Sequence, residues 1–426
     1  MSATSSSPFS GASPAQPSRL SRRLGLNDAV FIGLGSMIGA GVFAAIGPAA
    51  AAAGSGLLIG LGIAALVAYC NATSSAQLAA VYPESGGAYI YGRNRLGPRW
   101  GYLAGWMFVV GKTASCAAIA LTFGAYVAPA WQRPLAVAAV VLLTSINYRG
   151  IQQTARTLRL TVAIVLVSLA AMIIAVLGGS AASLGNLGSI TQGGWAGILE
   201  SAGLLFFSFA GYARIATLAE EVADPVRTIP RAIPRALGIA LLVYLVVAGT
   251  ALIAIGPSAL ASAAAPLEAA VRAGSLSWSY PVVRLGAVVA TLGVLLSLIA
   301  GVSRTVFAMA SNRDLPSWLG PVHPIFRVPH RAELAVGAVV CILVAVSDLR
   351  GAIGFSSFSV LLYYAVANAS AWTLPSDQRR WPRFLAVAGV AGCLVLAGTL
   401  PRTSVIVGLA VLALGVVLMS VTKELN

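Results

Sequence analysis

From Ala29 to Ala53 the chain carries no charged side chain. A helix of about 20 apolar residues is long enough to cross the hydrocarbon core of a bilayer. Eleven further apolar runs follow, near residues 55–81, 99–128, 134–148, 158–178, 195–221, 236–256, 281–311, 333–347, 352–374, 383–400 and 403–421. They are continuous rather than alternating, which argues against a transmembrane β-barrel. Only 9% of the 426 residues are charged and the mean hydropathy is +0.88, whereas a soluble protein carries about 25% charged residues. The pattern predicts an all-α integral membrane protein of about twelve transmembrane helices.

The net charge of +15 raises nucleic acid as a partner, and its distribution removes it. With the N-terminus inside, 21 of the 27 Lys and Arg residues fall in cytoplasmic segments and five outside, with Lys112 left in the membrane. So strong a bias follows the positive-inside rule and predicts both termini in the cytoplasm. Arg outnumbers Lys 25 to two, and Ala and Gly are abundant. That points to a GC-rich bacterial genome and a plasma-membrane location. Cys70, Cys116, Cys341 and Cys393 all lie in apolar runs without CxxC spacing and read as small core residues. Residues 1–23 have no apolar core and read as a disordered cytoplasmic segment, not a signal peptide.

The first apolar run is interrupted. Gly33, Gly35, Gly39 and Gly41 occupy four of nine consecutive positions, and each costs a helix about 1 kcal/mol relative to alanine. Lipid cannot hydrogen-bond the backbone that a helix break frees, so such a break faces protein or a polar cavity. Two other readings compete. Gly35 and Gly39 form a GxxxG pair of the kind that lets helices pack closely. The glycines also approximate a dinucleotide-binding loop, but the last comes one residue late and no strand precedes it. The segment alone leaves packing and a ligand site both open.

A second interruption tips the balance. Within Gly203–Tyr212, Ser208 and Gly211 fall inside an apolar stretch. The first and sixth runs are corresponding members of two five-helix halves, residues 24–178 and 179–375, with residues 376–426 forming two further helices. Interrupted helices at corresponding positions of two halves are the best pointer in sequence to a transporter site.

Four motifs in order then resemble the amino acid–polyamine–organocation (APC) superfamily. They are Gly35-Ser36-Met37-Ile38-Gly39-Ala40-Gly41-Val42-Phe43; Tyr82-Pro83-Glu84-Ser85-Gly86-Gly87-Ala88-Tyr89; Gly211 through Glu220-Glu221 with Pro225 and Arg227 to Ile233; and Ser303 to Ala310 with Arg313-Asp314. The resemblance runs from about Leu24 to Pro375. It implies a 5+5 inverted-repeat fold with helices 1 and 6 broken. It also implies a secondary amino acid transporter working by alternating access. A half-helix N-terminus suits a carboxylate, which assigns Gly39, Ala40 and Gly41 to the substrate carboxylate. Ser36, Met37, Phe207, Ser208 and Ala210 then supply carbonyls to its α-ammonium. Ile38 and Gly211 complete the substrate site, and Phe207 is expected to gate it. Glu84, Glu220 and Glu221 resemble gate-loop carboxylates, with Arg93, Arg95 or Arg227 as partners when the inner side is closed.

The chain departs from the superfamily at Ala213, at Val165 and at Gly111-Lys112, where many members carry, respectively, an acidic residue, a lysine and an acidic residue. Ala213 argues against a site built for a cationic side chain, so a neutral amino acid is favoured. A charge in mid-span costs about 2.5–3.5 kcal/mol on insertion scales and is seldom there by accident. Lys112 is therefore a candidate coupling residue for a proton. Exchange of amino acids, or transport of cationic amino acids or polyamines, is the alternative within transport; a non-transporting amino acid sensor is the alternative outside it. An enzyme is not expected: His323 and His330 share one loop, and no HExxH or paired intramembrane carboxylates occur. The expected partners are a small amino acid, the bilayer and a proton as candidate co-substrate, with no cofactor or metal.

Overall fold

The computed structural model describes residues 25–82, 86–150, 155–180, 182–191, 193–212, 222 and 224–424. Every described element is a helix. The chain opens with α1 (Leu26–Met37), α2 (Ala40–Ala53), α3 (Leu57–Val81), α4 (Ala88–Arg95), α5 (Pro98–Val127), α6 (Gln132–Tyr148), α7 (Ala155–Leu177) and α8 (Gly194–Phe209). It continues with α9 (Pro225–Ser262), α10 (Pro266–Arg272), α11 (Tyr280–Ser311), α12 (His330–Val346), α13 (Leu349–Trp372), α14 (Arg383–Thr399) and α15 (Arg402–Glu424). Nine helical stretches among the described residues are long and apolar enough to cross a membrane, and Arg383–Thr399 is a shorter apolar helix. The chain is an all-α membrane protein.

The helices gather around two apolar cores. The larger contains Met37, Phe43, Leu61, Phe206 and Tyr244 and so unites α1, α2, α3, α8 and α9. The second contains Ile119, Val140, Leu295, Ile299 and Val340, from α5, α6, α11 and α12. Phe207 packs against both. Outward-facing Leu66, Leu142, Val167, Leu242, Ile342 and Ile406 are exposed, as lipid-facing side chains should be where the solvent is hydrocarbon.

One boundary differs from the sequence expectation for a clear reason. The seventh run is expected near 236, yet α9 begins at Pro225. Asp224 caps it, its carboxylate accepting the Arg227 N–H at 3.2 Å, and proline suits a first turn that needs no N–H. Arg227, Arg231 and Arg235 are exposed at four-residue spacing while Ile229, Ala232, Ile233 and Ala236 are buried. This is a helical, amphipathic period hidden in a charged stretch. The short helices α4 and α10 likewise lie outside the apolar runs.

Candidate functional site

The first helix is broken where the glycines fall. α1 ends at Met37, with Ile38 N–H bonded to Leu34 O at 2.7 Å, and α2 begins at Ala40 after the non-helical Gly39 (φ −67°, ψ −119°). The last carbonyls of α1 and the first N–H groups of α2 therefore lack intrahelical partners. The described part of the sixth helix ends as α-helix at Phe209 and tightens into a 3-10 turn over Ala210–Tyr212.

The break between α1 and α2 meets the end of α8. A Cβ on Gly41 would lie 2.7 Å from Ser208 Cα, and one on Gly211 would overlap the Ser36 carbonyl. Glycine at both positions lets main chain approach main chain. Gly35 and Gly39 serve a different contact: a Cβ on Gly35 would lie 2.7 Å from Val162 of α7, and one on Gly39 would overlap Val294 of α11. All four glycines thus stand in close contact with a neighbouring helix.

Two tyrosines that sequence reasoning missed tie the breaks together. The Tyr244 hydroxyl of α9 lies 2.6 Å from Met37 O and 3.0 Å from Ser208 O. The Tyr364 hydroxyl of α13 lies 3.5 Å from Ala210 O, and its ring stacks on Tyr212 at 5.1 Å. Neither tyrosine sits in a local motif; only the tertiary fold brings it to the breaks. Beside them is a cavity of about 10 Å³, room for about one water molecule. Val42, Ile46, Leu205 and Ala248 give it apolar walls, with Ser208 and Tyr244 at its polar side. Met37, Ile38, Gly39, Ala40, Gly41, Ser208 and Ala210 are buried, and Ser36, Phe207 and Gly211 are partly so. Ser36 Oγ donates back to Ile32 O at 3.0 Å. Of the expected site residues, Ser36 thus lies against Gly211, Gly41 against Ser208, and the Met37 and Ser208 carbonyls share Tyr244.

The family model described as amino acid permease matches residues 24–424. The chain belongs to the amino acid permease family. It therefore falls in the APC superfamily and is a membrane transporter rather than an enzyme. It is 61% identical over 400 residues to an uncharacterized transporter of Mycobacterium tuberculosis, covering 94% of this chain and 91% of that one. It is similar to the branched-chain amino acid permease BcaP of Bacillus subtilis (24% identical; 87% and 84% covered). It is also similar to the human cationic amino acid transporter 4 (28% identical; 82% and 59% covered).

In this permease Lys112 is 8% exposed in the middle of α5, and no carboxylate among the described residues pairs with it. Its neighbours on α5 are Gly111, close against Ser359 of α13, and Cys116 one turn on, in the second core. Val165 is buried in the first core. The helix that carries Lys112, α5, meets α2.

The expected gate carboxylates Glu84, Glu220 and Glu221, like Ala213 and residues 1–23, lie outside the described residues. Their expected basic partners have these contacts among the described residues. Arg93 of α4 pairs with Asp314 at 2.5 Å, Arg95 bonds Thr373, and Arg227 pairs with Asp224 at 3.8 Å. Around Asp314, Tyr89 donates to the carboxylate at 2.6 Å and accepts from Asn312 at 2.9 Å. Burial first, then the Asp314 hydrogen bond and charge, push the Tyr89 phenol up to about 12. This cluster fastens α4 to the end of α11.

Further ion pairs lie toward the two faces of the permease. On the amino-terminal face, Asp28 in the first turn of α1 accepts the Gly25 N–H at 3.2 Å and pairs with Arg159 of α7 at 2.6 Å. On the opposite face Glu200 of α8 pairs with Arg350 of α13. There too Glu268 of α10 receives Arg272 at 2.7 Å and Arg284 of α11 at 2.8 and 3.0 Å. The Leu267 N–H donates to Tyr126 at 3.3 Å.

Proposed function

We propose that the chain is a secondary active transporter that carries a neutral amino acid across the bacterial plasma membrane by alternating access. We read residues 24–178 and 179–375 as its two inverted five-helix repeats, with 376–426 appended and both termini cytoplasmic. The substrate carboxylate meets the N–H groups at Gly39, Ala40 and Gly41, where the positive end of α2 favours an anion. The α-ammonium meets the carbonyls of Met37 and Ser208. Its side chain enters the space walled by Val42, Ile46, Leu205 and Ala248, and Phe207 covers it. The observation that carries this reading is the meeting of the two breaks, with carbonyls of both sharing the Tyr244 hydroxyl.

An apolar wall without a carboxylate favours a neutral side chain, because a buried cationic head group calls for an ionised or multiply hydrogen-bonded partner. Glu200 is the acidic residue set deepest in a span, and it is already paired with Arg350. Proton coupling through Lys112 completes the reading: a buried amine with no carboxylate partner among the described residues can hold or release a proton as the site opens. Counterflow in proteoliposomes tests the substrate. Alanine, serine or leucine should compete better than arginine or lysine, and the reverse order would overturn the neutral assignment. Binding without counterflow would mark a sensor.

A further inference from the structure

The oxygens around Tyr244 do not balance. Met37 O and Ser208 O belong to the last turns of their helices, where an α-helix runs out of N–H partners. A phenol carries one proton, so it serves one of these carbonyls at a time, yet both lie within 3.0 Å of it. Beside them the buried Ser208 hydroxyl has no hydrogen-bond partner among the described residues. The two carbonyls thus share a single phenol proton. An ammonium, with three N–H donors and no acceptor, supplies what is short. The hydroxyl also occupies the space between the two carbonyls that an ammonium bridging them would fill.

We propose that the Tyr244 hydroxyl is a built-in stand-in for the substrate's α-ammonium: it holds the Met37 and Ser208 carbonyls when no ammonium is bound and is displaced when an amino acid enters. The inference rests on the site assigned above and adds a competitor within it. Phe209 packs edge-on against the Tyr244 ring at 5.2 Å on one side. Tyr244 and Ser208 also line the cavity beside the break. Every substrate amine must then break the tyrosine contact before it can bind, so the wild-type site binds amino acids more weakly than its carbonyls alone would allow.

Tyr244→Phe keeps the ring and removes the competitor. Purified wild type and Tyr244→Phe are titrated with alanine, leucine and arginine, and with propionate and isocaproate, which keep the carboxylate and lack the amine. Binding is read as thermal stabilisation. The amino acid that stabilises wild type should bind Tyr244→Phe about three- to ten-fold more tightly, the scale of one net hydrogen bond, while the amine-free acids gain nothing. Unchanged or weaker amino acid binding by a folded Tyr244→Phe overturns the proposal, as does an equal gain for the amine-free acids. Should that variant fail to fold, fluorotyrosine placed at 244 in the otherwise wild-type protein decides. A fluorine resonance that shifts on saturation supports displacement, and an unmoved one overturns it. If none of the three amino acids stabilises wild type, the site assignment falls together with the stand-in; if they do, only the stand-in is at risk.

Discussion

On the amino-terminal face α1 rests on α7 through Gly35 and, among the described residues, the ion pair Asp28–Arg159, whose side chains are 32% and 60% exposed. On the opposite face Glu268 is only 8% exposed and receives two arginines, while Glu200–Arg350 joins α8 to α13. An exposed pair contributes about 0–1 kcal/mol. Stripping partners from a buried carboxylate costs on the order of 3 kcal/mol or more. The contrast teaches where motion is cheap: α1 can leave α7 at little electrostatic cost, whereas α10 is fixed to α11 by Glu268–Arg284 and to α5 by Leu267–Tyr126. α2 in turn leans on α10, since a Cβ on Gly47 would lie 3.1 Å from Pro266.

Substitution at the point where both faces converge should have the largest effect. Gly41→Leu drives a side chain into Ser208, so substrate binding and uptake should fall at least about ten-fold relative to wild type, the loss of one to two well-placed contacts. Normal uptake by a well-expressed Gly41→Leu would reduce that glycine to a spacer. Next comes Lys112→Met, which removes the buried amine. Accumulation driven by a pH gradient should disappear while exchange of internal for external amino acid continues; wild-type accumulation would route the proton elsewhere.

The two faces can then be weighed directly. Glu268→Gln leaves two partly exposed guanidiniums facing a neutral amide and should destabilise the protein by about 2 kcal/mol, seen as a lower Tm in detergent. Asp28→Asn should change stability by less than about 1 kcal/mol. Its effect belongs to opening: a cysteine placed at Ser36 should become more reactive to a thiol reagent from the amino-terminal face. Equal losses of Tm in the two variants would erase the contrast between the faces.

Much of this was legible in sequence because it is local. Apolar runs fix helices, and a cluster of glycines in one of them fixes the break between Met37 and Ala40. At the sixth helix Ser208 and Gly211 pointed only to the neighbourhood of the change from α-helix to a 3-10 turn at Ala210, and only through correspondence with the first. What escaped depends on distant partners. Arg93 finds Asp314 221 residues away, and Glu200 finds Arg350 across 150 residues. Tyr244 reaches Met37 from 207 positions on. A tyrosine in an apolar helix gives no sign of which carbonyl it will face. The early start of α9 was missed for another reason: Arg227, Arg231 and Arg235 read as loop charge until their four-residue spacing is set against the buried face.

A structure of the purified protein saturated with the amino acid that wins the counterflow competition tests the central claim most directly. The account predicts the carboxylate at the N–H groups of Gly39 to Gly41 and the ammonium at the carbonyls of Met37 and Ser208. An amino acid bound away from both breaks, with Gly41 still packed on Ser208, would contradict it.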